Sequence, residues 1–196
     1  MSSLGIGGSA AAAASAALVV FLFVGIHAPV GHVMPHTQNS GNPRRAKRQA
    51  HRIRAFASRH GLPCIVVTSP LERCRAVGRW LLRWGWRHWI DPTLVEANFG
   101  EWDGQPWTAV APKAIDAWCA DFVDHAPGGG EPVSSVLRRV RSFDPGEARL
   151  LVTHGGWLCA ALWLCDQGSA QPTSEQWRAP PPHGQRVDLE WQRIAR

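Results

Sequence analysis

Two short runs of apolar residues are each followed at once by a helix start, and this pattern constrains the fold more than any other feature of the sequence. The first run, residues 64–68 (CIVVT), leads into SPLE, where we expect Ser69 to cap a helix and Glu72 to complete a capping box. The second run, residues 150–153 (LLVT), leads through His154 and two glycines into helix-compatible apolar residues. Alternating strands and helices predict a mostly parallel sheet with helices on both faces, which binds ligands at the carboxyl ends of its strands.

A further helix is predicted before the first run. Asn42 and the proline after it are a typical N-cap and first-turn pair, and Gly61 is a typical C-cap where the apolar periodicity stops. The outer face of this helix is basic, but neither an aromatic stacking set nor a DNA-binding motif accompanies it, so we read a solvated face and expect no nucleic-acid partner. The apolar positions are Ala46, Ala50, Ile53 and Ala57, and the basic ones are Arg44, Arg45, Lys47, Arg48, Arg52 and Arg54.

The N-terminal stretch of residues 10–26 (AAAAASAALVVFLFVGI) is almost wholly apolar. It is short for a membrane span, and no Lys or Arg precedes it as a secretory signal requires. We expect residues 17–25 to contain a buried first strand, residues 1–16 to be an Ala-rich tail that is poorly ordered or a weak anchor, and residues 17–196 to form one domain. The alternative is a membrane-associated protein anchored through residues 10–26.

Cysteine usage bears on the compartment and on metal binding. The chain has five cysteines, an odd number, and none of them stands in C-x-x-C spacing. This pattern is typical of reduced thiols in a cytoplasmic protein, and it gives no paired Cys/His spacing for zinc. We therefore expect a cytoplasmic protein without a metal site.

Two of the predicted strand ends carry groups that suit phosphate chemistry. Arg73 lies one turn into the helix after residues 64–68, and His154 directly follows residues 150–153, so both are expected to face one crevice. An Arg near a helix N-terminus offers bidentate donors beside the positive end of the helix dipole, which suits a phosphate group. A His in the same crevice can donate to a phosphoryl oxygen as charge develops. Either residue alone is more often structural, so the hypothesis depends on the pair.

The segments TSPLERCRAVGRWL, LVEANFGEWDG, PGGGE and LLVTHGGWLCAAL, in this order, resemble the motifs of the histidine phosphatase superfamily. The likeness is to phosphoglycerate mutase-like members, and among these it is closest to alpha-ribazole phosphatase-like proteins. The resemblance implies a three-layer α/β/α sandwich. It also implies a phosphomonoesterase that acts on a small phosphorylated metabolite through a phosphohistidine intermediate, with no metal or organic cofactor.

Individual roles follow from this resemblance. Arg73 matches the phosphate-clamping Arg of the family, and His154 matches its second catalytic His, with Gly155 beside it as a substrate contact. Glu96 matches the acid that protonates the leaving alkoxide and later accepts a proton from water, for which burial has to raise its pKa. Glu131, after the triple glycine, is expected either to touch substrate or to cap a helix.

The first family motif is altered in this chain. The family places an Arg-His pair at the end of the first strand, where the His attacks phosphorus, whereas Gly25 and Ile26 stand at those positions here. His27 follows one residue late and is the provisional nucleophile. The sequence Arg59-His60-Gly61 is not a substitute, because it follows a helix and precedes a strand. Three explanations stay open: a functional variant that uses His27, a catalytically impaired relative that binds phosphorylated ligands, and a chain whose start is misread from its gene.

Overall fold

The computed structural model of the protein describes residues 18–22, 42–182 and 184–194. In this part of the chain, five strands form one sheet and five α-helices accompany it. The strands are β1 (Leu18–Leu22), β2 (Ile65–Thr68), β3 (Arg87–Ile90), β4 (Leu150–Thr153) and β5 (Arg186–Leu189), and the helices are α1 (Pro43–His60), α2 (Glu72–Arg83), α3 (Pro112–Ala120), α4 (Val133–Arg141) and α5 (Gly155–Gln167).

The sheet has the strand order β3-β2-β4-β1-β5. All neighbouring strands are parallel except β5, which pairs antiparallel with β1 at one edge. Successive residues of β2 and β4 point to opposite faces and enter two different apolar cores. Val66 and Leu150 pack with α1 and α2, whereas Val67 and Leu151 pack with α4 and α5. The predicted α/β fold, with helices on both faces of a mostly parallel sheet, is therefore confirmed.

Helix α1 begins and ends as its sequence predicts. The Asn42 side chain accepts hydrogen bonds from the backbone N–H groups of Arg44 (3.0 Å) and Arg45 (3.3 Å). Gly61 ends the helix in the left-handed region, at φ 61°, and its N–H bonds to the carbonyl of Ala57. The alanines predicted to be apolar contacts are buried, and the basic residues line the outer side.

The predicted start of α2 is wrong in its details. Leu71, not Ser69, is the N-cap, and no side chain caps the helix. Ser69 is turned inward, where its hydroxyl accepts from the N–H of Leu71 at 3.2 Å and contacts His154 at 2.7 Å. Glu72 forms ion pairs with Arg75 and Arg79 instead of a capping box. The chain thus uses two further residues to turn from β2 into the helix because Ser69 is held by a neighbouring strand end.

The structure describes only part of the N-terminal region, for which a first strand was predicted and a membrane anchor was the alternative. Strand β1 falls inside the predicted residues 17–25 and pairs with β4 in the register Leu22 to Thr153. Residues 1–17 and 23–41 lie outside the described part of the chain, and with them the predicted tail of residues 1–16 and most of the alternative anchor, residues 10–26. No helix among the described residues has the length and apolar character needed to cross a membrane.

Candidate active site

Three of the predicted residues are brought together at the carboxyl end of the sheet. Arg73 is the second residue of α2, His154 follows β4 directly, and Glu96 stands in the loop between β3 and α3. All three are buried, with 1%, 0% and 3% of their surfaces exposed, respectively. Burying three ionisable side chains in a small region is costly unless they are paired or hydrogen-bonded, so such a cluster is a candidate functional site.

Arg73 and His154 contact each other directly. The Nε of Arg73 donates to Nδ1 of His154 at 3.1 Å. Because Nδ1 accepts this bond, a neutral His154 carries its proton on Nε2, which lies 2.7 Å from the hydroxyl of Ser69. Ser69 therefore engages the Nε2 side of the ring and helps to fix its orientation, a contact that the sequence did not reveal.

Glu96 is held by backbone donors at the start of α5 and in its own loop. Its Oε1 accepts from the N–H of Gly156 at 2.7 Å and from the N–H of Ala97 at 3.0 Å. Burial raises the pKa of the Glu96 carboxyl, while the charge of Arg73 and the backbone N–H groups act in the opposite direction. The net direction is upward, which favours the protonated acid nearer to neutral pH.

Gly156, the second glycine after His154, allows the close approach of Glu96. A Cβ on Gly156 would lie 2.7 Å from Oε1 of Glu96 and 2.8 Å from the Cβ of Ala97. Gly155, predicted to contact substrate, begins α5 and lies against Pro180, which a Cβ would meet at 3.0 Å. The first turn of α5 is therefore shaped to accept a carboxyl group beside its backbone.

A cysteine that the sequence did not single out also contacts the site. The Sγ of Cys74 lies 3.4 Å from Nε2 of His154 and 3.7 Å from the carbonyl oxygen of Thr153. Burial is the largest cause that raises the pKa of this thiol, so it stays protonated. Cys74 packs against the imidazole as a small uncharged neighbour.

Glu131 is placed differently from the other predicted residues. Both of its carboxylate oxygens accept from the guanidinium of Arg139 on α4, at 3.1 Å and 2.7 Å. It does not cap α4, whose N-cap is Pro132 without a side-chain hydrogen bond. The helix-cap alternative is therefore wrong, and the carboxylate is engaged by an Arg of the same protein.

His27, the provisional nucleophile, lies outside the described residues. Because β1 and β4 are parallel, the chain leaves Leu22 at the carboxyl ends of the strands, where His154 follows Thr153. His60 is the last residue of α1 and precedes β2, so it lies at the amino ends of the strands, as its sequence context predicts. Within the described part of the chain, no group of three or more His, Cys, Asp or Glu side chains is arranged to hold a metal ion.

Comparison with known proteins identifies the family of the chain. Residues 44–193 match the Histidine phosphatase superfamily (branch 1). The chain belongs to this superfamily. Solved structures also share its fold, although their sequence identity is low. Mycobacterial glucosyl-3-phosphoglycerate phosphatase Rv2419c in complex with VO3 superposes with a TM-score of 0.68 at 21% identity, over 91% of this chain and 94% of that one. A phosphoglycerate mutase from Thermus thermophilus gives 0.63 at 24% identity, over 89% and 93%.

A curated relative is considerably longer than this chain. Bifunctional protein Rv2228c from Mycobacterium tuberculosis is 33% identical over 120 residues, which cover 56% of this chain and 30% of that protein. The matched region is thus under a third of the relative's length. The likeness therefore does not carry the whole relative's activity to this chain.

Proposed function

We propose that this histidine phosphatase superfamily member is a phosphomonoesterase that hydrolyses a small phosphorylated metabolite through a phosphohistidine intermediate. The observation that carries the proposal is the buried Arg73–His154 pair, 3.1 Å apart, beside Glu96, whose pKa is raised by burial. The pair supplies donors for phosphoryl oxygens, and Glu96 supplies a proton for the leaving group. The phosphatase named among the structural neighbours supports the same reaction class.

In the first step, a histidine nitrogen forms a bond to phosphorus while the bond from phosphorus to the ester oxygen breaks. The electron pair stays on the leaving oxygen, which takes the proton of Glu96. Arg73 stabilises the charge that spreads over the phosphoryl oxygens, and His154 joins it by turning its Nε2 proton from the Ser69 hydroxyl to one of these oxygens. In the second step, water attacks phosphorus, Glu96 takes a proton from that water, and the phosphohistidine bond breaks to release phosphate.

We assign the nucleophile to His27 because the chain leaves β1 beside His154 and this is the first histidine after the strand. The decisive experiment is hydrolysis of para-nitrophenyl phosphate in the presence of a chelator, by the parent chain and by His27→Ala and His154→Ala. His60→Ala is the matched control, since His60 stands in an Arg-His-Gly sequence at the amino ends of the strands, opposite His154. We expect activity in the parent and control and its loss in the other two.

Trapping the phosphohistidine intermediate tests whether His27 is the residue that becomes phosphorylated. A substrate labelled in its phosphoryl group should leave an acid-labile, alkali-stable label on the parent chain, and none on His27→Ala. Label that persists on His27→Ala would show that another residue is the nucleophile.

A second function is favoured by one observation, the presence of Gly25 and Ile26 where the family has its Arg-His pair. A chain without a nucleophile would bind phosphorylated ligands through Arg73 and His154 and not turn them over. Phosphate or vanadate would then raise the melting temperature of the parent chain, by linkage, and no hydrolysis would accompany it. Turnover that is lost in His27→Ala excludes this alternative.

A further inference from the structure

Arg139 on α4 joins two parts of the molecule that lie far apart in sequence. Its Nη1 donates to the backbone carbonyl oxygens of Thr93 and Val95, each at 2.8 Å. Its Nε and Nη2 bind the two carboxylate oxygens of Glu131. The two side chains are mostly buried, with 16% and 20% exposed, so these contacts are shielded from water.

The carbonyl oxygens that Arg139 binds belong to the segment that leads directly into Glu96. The carbonyl between them, that of Leu94, accepts from the hydroxyl of Thr153 at 2.8 Å. Thr153 is the last residue of β4 and precedes His154. Three successive carbonyl groups before Glu96 are therefore fixed, two by α4 and one by the strand end that carries the catalytic histidine.

We propose that Arg139 is a positioning residue for Glu96, and that Glu131 acts through Arg139 and does not contact substrate. This inference rests on the proposed function for its catalytic consequence. The chemistry requires an Arg, because its planar fork can bind a carboxylate in a bidentate manner and reach two carbonyl oxygens with a further N–H group. Glu131 holds the guanidinium of Arg139 in place, and the guanidinium holds the segment of residues 93–95 that leads into Glu96.

The position of the loop also sets how strongly Glu96 is buried. Among the described residues, the ionisable groups that interact with Glu96 are Arg73 and Cys74 of α2 and Cys159 of α5, together with the N–H groups at the start of α5. A loop released from Arg139 admits water to the carboxyl and lowers its pKa. Since the acid has to be protonated to act, the falling alkaline limb of the pH–kcat profile then moves to lower pH.

The test compares Arg139→Gln and Glu131→Gln, singly and combined, with Arg138→Gln as the matched control. Arg138 is the exposed neighbour on the same helix. In Arg139→Gln we expect kcat to fall on the order of a hundredfold, because a small displacement of a catalytic group has that effect, while KM changes little. Glu131→Gln should give a smaller fall, and the double variant should be no worse than Arg139→Gln.

A second measurement does not depend on activity. Amide hydrogen exchange reports whether the N–H groups of Ala97 and Gly156, which bond Glu96, stay closed. We expect exchange at both to be about tenfold faster in Arg139→Gln than in the parent, and unchanged in Arg138→Gln.

The outcomes separate this inference from the proposed function. Unchanged exchange at Ala97 and Gly156 in Arg139→Gln overturns the positioning role, whether or not the chain is an enzyme. If the parent chain is inactive but exchange is still faster in Arg139→Gln than in the parent, the positioning role is supported and the proposed phosphatase is not. Additive losses of kcat in the double variant, or a KM effect confined to Glu131→Gln, would show that Glu131 contacts substrate and would overturn its assignment.

Discussion

Replacing Glu96 by Gln tests the proton transfer most directly. The amide has almost the same shape as the carboxyl, and its oxygen can still accept from the N–H groups of Ala97 and Gly156. The change therefore removes the transferable proton and leaves the loop in place. Glu101→Gln is the matched control, because Glu101 lies on the same segment and is exposed.

The magnitude follows from the role. A positioned general acid contributes about 10²–10⁴-fold, or about 3–5 kcal/mol of barrier, when the leaving group is a poor one. An alkyl phosphate such as glycerol 2-phosphate has such a leaving group, whereas para-nitrophenolate departs with little help from an acid. We expect Glu96→Gln to lose most of its kcat/KM on the alkyl ester and much less on the aryl ester. Steady-state rates on both substrates, for parent, variant and control, measure this difference.

The same variant has a signature in stability. The pKa of Glu96 is raised in the folded state, so the folded chain keeps a proton that the unfolded chain releases. The corresponding stability is present below the ordinary carboxyl pKa of about 4.3 and is lost as pH rises through the folded value. Glu96→Gln does not titrate, so its melting temperature relative to the parent should be higher at pH 8 than at pH 5. The control should follow the parent at both.

Two results would refute this reasoning. Equal losses on the aryl and alkyl esters would mean that Glu96 acts on something other than the leaving group. A difference in melting temperature that does not change between pH 5 and pH 8 would mean that Glu96 keeps an ordinary pKa in the folded chain.

Three further substitutions test separate parts of the structure. Gly156→Ala places a Cβ 2.7 Å from Glu96 Oε1, so we expect about 1–3 kcal/mol of destabilisation in urea unfolding together with slower turnover. Arg73→Lys keeps the charge and removes the bidentate fork, so vanadate affinity measured by calorimetry should fall by about tenfold or more. Asn42→Ala removes the cap of α1 and should lower the free energy of unfolding, measured in urea, by about 1 kcal/mol.

The parts of the fold that the sequence predicts are those whose signals are local. Helix α1 has a cap at each end, and the strands β2 and β4 are fully buried apolar runs that a turn follows at once. The edge strand β3 (RHWI) escaped prediction because its residues are mostly exposed and show no apolar alternation. Its place in the sheet is determined by pairing with β2, which no local pattern reveals.

Helix α4 is a different case, because its sequence does carry a signal. Val133, Val136, Leu137 and Val140 are all buried and stand at helical spacing. The glycine-rich turn before them led to the prediction that Glu131 touches substrate or caps a helix. Only the structure shows that a residue of this helix, Arg139, binds Glu131.

The candidate site divides in a similar way. Arg73, Glu96 and His154 each stand in a motif that resembles one of the superfamily, and this resemblance indicated all three; their catalytic roles stay predictions. Ser69 and Cys74 contact Nε2 of His154, at 2.7 Å and 3.4 Å. These contacts form only when β2 and β4 pair in the sheet, so no local sequence pattern reveals them.

The pKa of Glu96 connects the architecture of the site with its chemistry. Burial raises this pKa, and the charge of Arg73 lowers it, so two kinds of substitution should move the alkaline limb of the pH–kcat profile in opposite directions. Arg73→Gln removes the positive charge and should move the limb of its residual activity to higher pH, whereas Arg73→Lys keeps the charge and should not. Arg139→Gln reduces burial and should move the limb to lower pH. If Arg73→Gln and Arg139→Gln moved the limb the same way, a residue other than Glu96 would be the titrating acid.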